Sequence, residues 1–194
     1  TIKELVTSTG SRTLLDYGSG KGLQYQNLLL EDKNKSRYRG LQDYWKLDEV
    51  YCYDPAYPPY QRLPEKEYDA VISMDVLEHC PQEDIKWIVD EIFSLAEKFV
   101  FINAACYPAA RLLPNGENAH CTVRPGVWWE KILQSVMFNY PDVMYCFLVE
   151  YFYLDVVKKK RIFQILSNFD GVAGRVQLDS PIMSILEKKW LRVN

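Results

Sequence analysis

The sequence predicts an α/β protein built on a doubly wound, mostly parallel sheet, and three observations carry that expectation. Leu14 to Gly22 (LLDYGSGKG) runs from apolar residues into a carboxylate and then a glycine-rich turn. It reads as a buried strand, a tight loop and the entry to a helix over Gly22 to Leu30. Val50 to Asp54 (VYCYD) is a β-branched and aromatic segment that also ends in a carboxylate. Further along, apolar runs alternate with helical periodicity and close on two strand-like runs joined by a basic turn.

The first segment is the most specific. Glycines alternate at Gly18, Gly20 and Gly22; without a Cβ they allow positive φ and let a ligand lie against the backbone. The spacing is GxGxG rather than the GxGxxG of a dinucleotide-binding turn. GSGKG also falls short of a phosphate-binding P-loop, which needs Ser or Thr after the lysine and another glycine upstream. Here Gly22 follows Lys21, and Asp16 would set a negative charge against a phosphate. A cationic or hydroxyl-bearing ligand suits this corner better. The pattern resembles motif I of the class I S-adenosylmethionine-dependent methyltransferases, whose cofactor carries an amino acid, a sulfonium and a ribose. The competing explanation is a glycine turn without a ligand.

Two more segments agree with that resemblance in order and spacing. Asp54, at the tip of the second strand, can accept both ribose hydroxyls of a nucleoside; alone it would read as a turn aspartate ahead of Pro55. Tyr68 to Pro81 (YDAVISMDVLEHCP) combines a short buried strand, Ala70 to Met74, with a loop over Asp75 to Cys80. It resembles the family's fourth-strand segment, where YDxVxxxDVLEH is a common form. The resemblance implies S-adenosyl-L-methionine as cofactor, held by Asp16, Gly18, Ser19, Gly20, Asp54, Met74 and Asp75. It places Glu78 and His79 at the substrate mouth. The plainer alternatives are a structural hydrogen bond for His79 and a loop-steadying or capping role for Glu78.

Composition agrees with a globular chain. At 194 residues a single domain over 1–194 is the natural expectation. Hydrophobic residues make up 48% and aromatic residues 14%, against a disordered chain. No apolar run reaches membrane-spanning length, and no stretch reads as a secretory leader. The net charge of −3 argues against nucleic acid as a partner. The cationic run Lys158 to Arg161 reads as a solvated turn between strands. Five scattered cysteines without CxxC point to reduced thiols and a cytoplasmic location. His79–Cys80 and His120–Cys121 would make a zinc site only if their loops met. Adjacent residues are poorly spaced for two ligands on one ion, so no metal is assigned.

Gln82 to Ala96 carries apolar residues at helical spacing, with Trp87 on the rim. Phe99 to Ile102 is the next buried strand, ending at Asn103. After a long loop, Ala104 to Arg124, Pro125 opens a helix through Val127, Trp128, Ile132 and Leu133. Val143 to Leu154 and Arg161 to Leu166 form the closing hairpin, and Ser180 to Leu191 reads as a short terminal helix. In the resembled family a helix and a third strand would fill the interval from Asp54 to Asp69. Here four prolines break it, so that edge strand is expected to be missing or vestigial, with Pro55, Ala56 or Tyr57 supplying an apolar wall. Extra chain lies instead at Glu31 to Leu47, with room for a short helix.

The long loop is the substrate candidate, because ligands of open α/β sheets bind beyond the carboxyl ends of the strands. It holds Tyr107, Arg111, Asn115, Glu117, Asn118 and His120. The run ENAHCTVRPGVWW resembles a segment of a subset of bacterial and phage methyltransferases. The alternative is that Asn118 and His120 tie the loop together. Methyl transfer from a sulfonium needs mainly in-line positioning at about 3 Å, with a base where oxygen or nitrogen accepts. His79 and His120, the chain's two histidines, are the catalytic candidates, and Glu78, Asn118 and His120 the substrate candidates. The Asp/Asn-Pro-Pro-aromatic signature of amino-group DNA methyltransferases is absent, since Asp75–Val76–Leu77 stands in its place. The resemblance thus implies methyl transfer to an O or N acceptor on a small molecule, sugar or protein. A cofactor-binding module without catalysis is the main alternative, and an NAD-linked oxidoreductase is disfavoured by the glycine spacing.

Overall fold

The computed structural model describes residues 2–26, 28–32, 34–154 and 159–169. Helix α1 (Ile2–Thr9) precedes strand β1 (Thr13–Tyr17). A ribbon of β2 (Leu29–Glu31) and β3 (Arg37–Arg39) leads to α2 (Gly40–Trp45) and β4 (Glu49–Tyr53). Strand β5 (Tyr68–Met74), helix α3 (Ile85–Ser94) and strand β6 (Ala96–Ala105) follow. Helix α4 (Gly126–Met137) and the hairpin of β7 (Met144–Leu154) and β8 (Lys159–Ser167) complete the described chain.

Six strands form one sheet in the order β4-β1-β5-β6-β7-β8, all neighbours parallel except the antiparallel pair β7–β8. This is an α/β architecture with a mostly parallel sheet and an antiparallel closing hairpin, compatible with a Rossmann-like fold. From β1 the chain moves outward to β4, then returns across β1 to β5. The winding therefore changes direction between β1 and β5, the place where open sheets leave a crevice at their carboxyl ends.

Alternate residues of the central strands feed two cores. Leu15, Val71, Val100 and Phe147 pack with Ile85, Val89, Ile92 and Trp129 of α3 and α4. Leu14, Ala70, Ile72 and Phe101 pack on the opposite face with Leu5, Val6 and Trp45 of α1 and α2. Cover on both faces explains why these strands read as continuous apolar runs. Beyond β4, residues 54–67 hold only one 3₁₀ turn, Pro58–Tyr60, so no third strand extends this edge among the described residues.

The helix expected over Gly22 to Leu30 is not formed. A single 3₁₀ turn, Leu23–Tyr25, stands there, followed by β2. Tyr25 turns inward to bond Asp16 and packs edge-on against Trp45, while Leu29 stays 82% exposed. Three consecutive leucines offer no single helical face, and the anchored tyrosine ends the turn. Helix α1 and the β2–β3 ribbon are additions to the expected elements. Strand β6 outruns the expected Phe99 to Ile102, and α3 is trimmed within the expected Gln82 to Ala96. Lys159 to Arg161 belong to β8 and not to a turn. Lys158 and the helix expected at Ser180 to Leu191 fall outside the described residues. No helix among the described residues is long and apolar enough to cross a membrane.

Candidate functional site

The crevice is framed by the tips of β1, β4 and β5. Gly18 and Ser19 donate their N–H groups to the Tyr53 carbonyl at 2.8 and 3.0 Å, which clips the glycine turn to the end of β4. Gly18 has φ 88°, and a Cβ there would overlap the Val76 side chain. Only glycine meets both demands, so the turn and the loop after β5 fit as one surface.

Asp16 lies at the floor, 4% exposed. One of its oxygens accepts from the Tyr25 hydroxyl at 2.7 Å and from Gln24 Nε2 at 3.0 Å. Burial pushes its carboxyl up to about 6, the two donors pull it back, and the charge of Asp54 adds to the rise. A cleft of about 420 Å³ opens above it, lined by Asp16, Gly18, Ser19, Tyr25, Ile72 and Met74. Leu41 and Trp45 of α2 complete its apolar side. Of the residues expected to hold a cofactor, Asp16, Gly18, Ser19 and Met74 thus share one cavity.

Gly20 and Asp54 are joined to each other beside it. Asp54 Oδ2 accepts from the Gly20 N–H at 2.8 Å and Oδ1 from the Ala56 N–H at 2.9 Å. Each carboxylate oxygen has two lone pairs, so one on each stays available beyond these loop bonds. Asp75 turns the other way. Its φ is 55°, left-handed, its N–H meets the Asn103 carbonyl at 3.1 Å, and its Oδ1 accepts from Asn103 Nδ2 at 2.6 Å. Met74 therefore lines one cavity and Asp75 lines the next.

That second cavity, of about 300 Å³, is polar and is lined by Asp75, Glu78, Tyr107, His120, Glu150 and Arg161. Glu150, buried in β7, accepts from Arg161 Nε at 3.1 Å and from the Tyr107 hydroxyl at 3.2 Å. Burial and the Glu150 charge push the Tyr107 hydroxyl up to about 12. Glu78 is 1% exposed; Oε1 accepts from the Ala105 N–H at 3.1 Å, and Oε2 has no partner. Burial raises its carboxyl to about 7, aided by the charges of Asp75 and Glu150. Asn103 Oδ1 is also buried without a partner.

His79 and His120 meet, with ring centroids 4.8 Å apart and planes at 82°. Nδ1 of His79 lies 2.8 Å from the Ala119 carbonyl and Nδ1 of His120 lies 2.7 Å from the Tyr107 carbonyl. A carbonyl only accepts, so both rings donate from Nδ1, and in the neutral form Nε2 carries the lone pair. Asn118 is occupied by the loop itself: Oδ1 accepts from the Ala109 and His120 N–H groups, and Nδ2 donates to the Ala109 carbonyl. Arg111, Asn115 and Glu117 stand exposed along this loop.

Sequence reasoning missed Gln24 and Tyr25, which hold Asp16, and the Tyr107–Glu150–Arg161 network. Glu150 did leave a signal, as an acid inside the apolar run Val149–Glu150–Tyr151. Arg161 was hidden in a cationic run that reads as solvated. No protein-family model, curated protein or solved structure matches this chain.

Proposed function

We propose that this chain binds S-adenosylmethionine in the cleft over Asp16 and transfers its methyl group to an acceptor in the polar cavity beside Asp75. The reading rests on one observation: a buried carboxylate and a glycine turn at the point where the winding reverses, with a second cavity one residue away. A charged, largely apolar ligand fits the first cavity, which offers one carboxylate among Ile72, Met74, Leu41 and Trp45. A dinucleotide fits it poorly, since the glycine turn leads into only one 3₁₀ turn. Its pyrophosphate would find no helix N-terminus and would face Asp16.

In this reading Asp16 binds the cationic end of the cofactor, and Asp54 accepts the ribose hydroxyls on its remaining lone pairs. The sulfonium supplies an activated methyl, so the protein's contribution is placement. Met74 and Asp75 separate the two ligands. Tyr107, Glu150 and Arg161 orient the acceptor by hydrogen bonds, and Nε2 of His120 takes its proton. Calorimetry with S-adenosylmethionine, S-adenosylhomocysteine and NAD provides the test. The expected outcome is binding of the first two and none of NAD; no binding of either sulfur ligand at millimolar concentration overturns the reading.

A further inference from the structure

The loops carrying the two histidines come together, and the group they form includes a third ligand type. One carboxylate oxygen of Glu78 and one ring nitrogen from each of His79 and His120 lie within 4.8 Å of one another. We propose that Glu78, His79 and His120 bind a divalent transition-metal ion at the edge of the polar cavity.

Three observations point the same way. The first is Glu78, whose Oε2 is buried and unpaired. Native proteins rarely leave such an atom without a partner, and an ion supplies one. The second is the pair of histidine orientations. Each ring donates Nδ1–H to a backbone carbonyl, at 2.8 Å for His79 and 2.7 Å for His120. Metal-ligating histidines are held by that kind of bond, which fixes the tautomer and leaves the Nε2 lone pair for the metal. The third is the donor set itself. Two imidazoles and one carboxylate match borderline divalent ions such as zinc, cobalt or iron better than magnesium or calcium, which prefer all-oxygen shells. The thiol of neighbouring Cys80 donates toward the Val76 carbonyl at 3.5 Å.

Ligands about 2.1 Å from a tetrahedral zinc ion stand roughly 3.4 Å apart. The cluster therefore contracts modestly on binding, by tilting rings already pinned at Nδ1. Three protein ligands leave a fourth position open, the arrangement of reactive rather than purely structural sites. Glu78 and His120 both line the polar cavity, so the acceptor is an oxygen or nitrogen donor able to enter the coordination sphere. That last step rests on the methyl-transfer reading; the ion site itself does not. With an ion bound, the His120 lone pair would be engaged by the metal, which would lower the pKa of a coordinated acceptor, and the acceptor's proton would pass to solvent water in place of the ring.

The test uses the chelator-treated chain titrated with cobalt(II) and then zinc(II), without S-adenosylmethionine. Calorimetry and the visible absorption of tetrahedral or five-coordinate cobalt are read together. The expected result is one cobalt per chain, displaced by zinc. His79→Ala and His120→Ala should each weaken binding by about a hundredfold or more, while Cys121→Ser, at an exposed thiol, leaves it unchanged. His79 is exposed, so its variant keeps the test sound where Glu78→Gln fails to fold. No binding at millimolar cobalt, or binding that follows Cys121 instead of the histidines, overturns the site. Neither outcome touches cofactor binding, which is measured separately and stands or falls by itself.

Discussion

The two cavities on either side of the Met74–Asp75 peptide are made of different materials. The cleft over Asp16 sets a glycine turn and the ends of β1 and β5 against largely apolar side chains, with Asp16 as its one carboxylate. The cavity beyond Asp75 is mostly side chain, with Glu78, His120, Tyr107, Glu150 and Arg161 converging from separate segments. In the first site strand register places Asp16, Ile72 and Met74, and α1, α2 and the turn after β1 close around them. The second depends on the long loop folding back onto the turn after β5 and onto β7. In the proposed reading the cofactor asks mainly for shape and one charge, whereas selecting an acceptor needs many polar groups.

The sharpest way to break the first site is Gly18→Val. The left-handed φ and the overlap with Val76 act together, at a combined cost of about 2–4 kcal/mol. Urea denaturation should show that loss. Adding Val76→Ala should restore the packing part but not the backbone part. Full recovery in the double variant would remove φ from the account.

Asp16→Asn separates charge from shape with a slightly smaller expected effect. The folded carboxyl titrates at about 6, above its usual 3.8. Between those values the folded state keeps a proton that the unfolded chain has released. The stabilisation is therefore complete below about pH 4 and is lost as pH rises through about 6. At pH 7 the ionised group costs up to about 3 kcal/mol, from roughly 1.4 kcal/mol per pH unit. The urea midpoint of Asp16→Asn should depend less on pH across this window and exceed that of the parent at pH 7, while affinity for S-adenosylmethionine falls. Parallel pH profiles for the two proteins would mean that burial does not perturb Asp16.

Asp54→Ala removes charge-assisted bonds worth about 1.5–3 kcal/mol, so cofactor affinity should drop roughly tenfold or more by calorimetry. The loop bonds to Gly20 and Ala56 go with it, and a lower melting temperature with unchanged affinity would make Asp54 only a turn residue.

The smallest effect is the most diagnostic of the comparison. His120→Ala should change cofactor affinity by under threefold, or below ~1 kcal/mol, because its ring lies in the other cavity. A larger loss of affinity would show that the two sites are not independent. A melting temperature that collapses to the level of Asn118→Ala would identify His120 as a pin for the loop.

Strands β1, β4 and β5 were legible because each is an apolar or aromatic run that leads to a carboxylate, Asp16, Asp54 or Asp75. The broken edge beyond β4 was legible from its prolines. The helix expected after Gly22 failed because the inward turn of Tyr25 is a tertiary event, decided by Asp16 and Trp45. Helix α1, with only eight residues, carried too little periodicity to stand out. The meeting of His79 with His120 had no local trace. Each is adjacent to a cysteine, which drew attention to His–Cys pairs, whereas the fold joins one histidine from each loop with Glu78. Contacts between loops are settled by where the chain returns, and short-range spacing does not report it.

The left-handed backbone at Asp75 also bears on how freely the sequence can drift. Glycine, asparagine and aspartate enter that region cheaply, while a β-branched residue is strained there by about 1–2 kcal/mol. A library randomised at position 75 and sorted only for folded protein should therefore return Asp, Asn and Gly together. Sorted again for methyl transfer, it should keep whichever of the three the acceptor cavity needs. The gap between the two lists would measure, at one residue, how much of the chemistry is geometry and how much is charge.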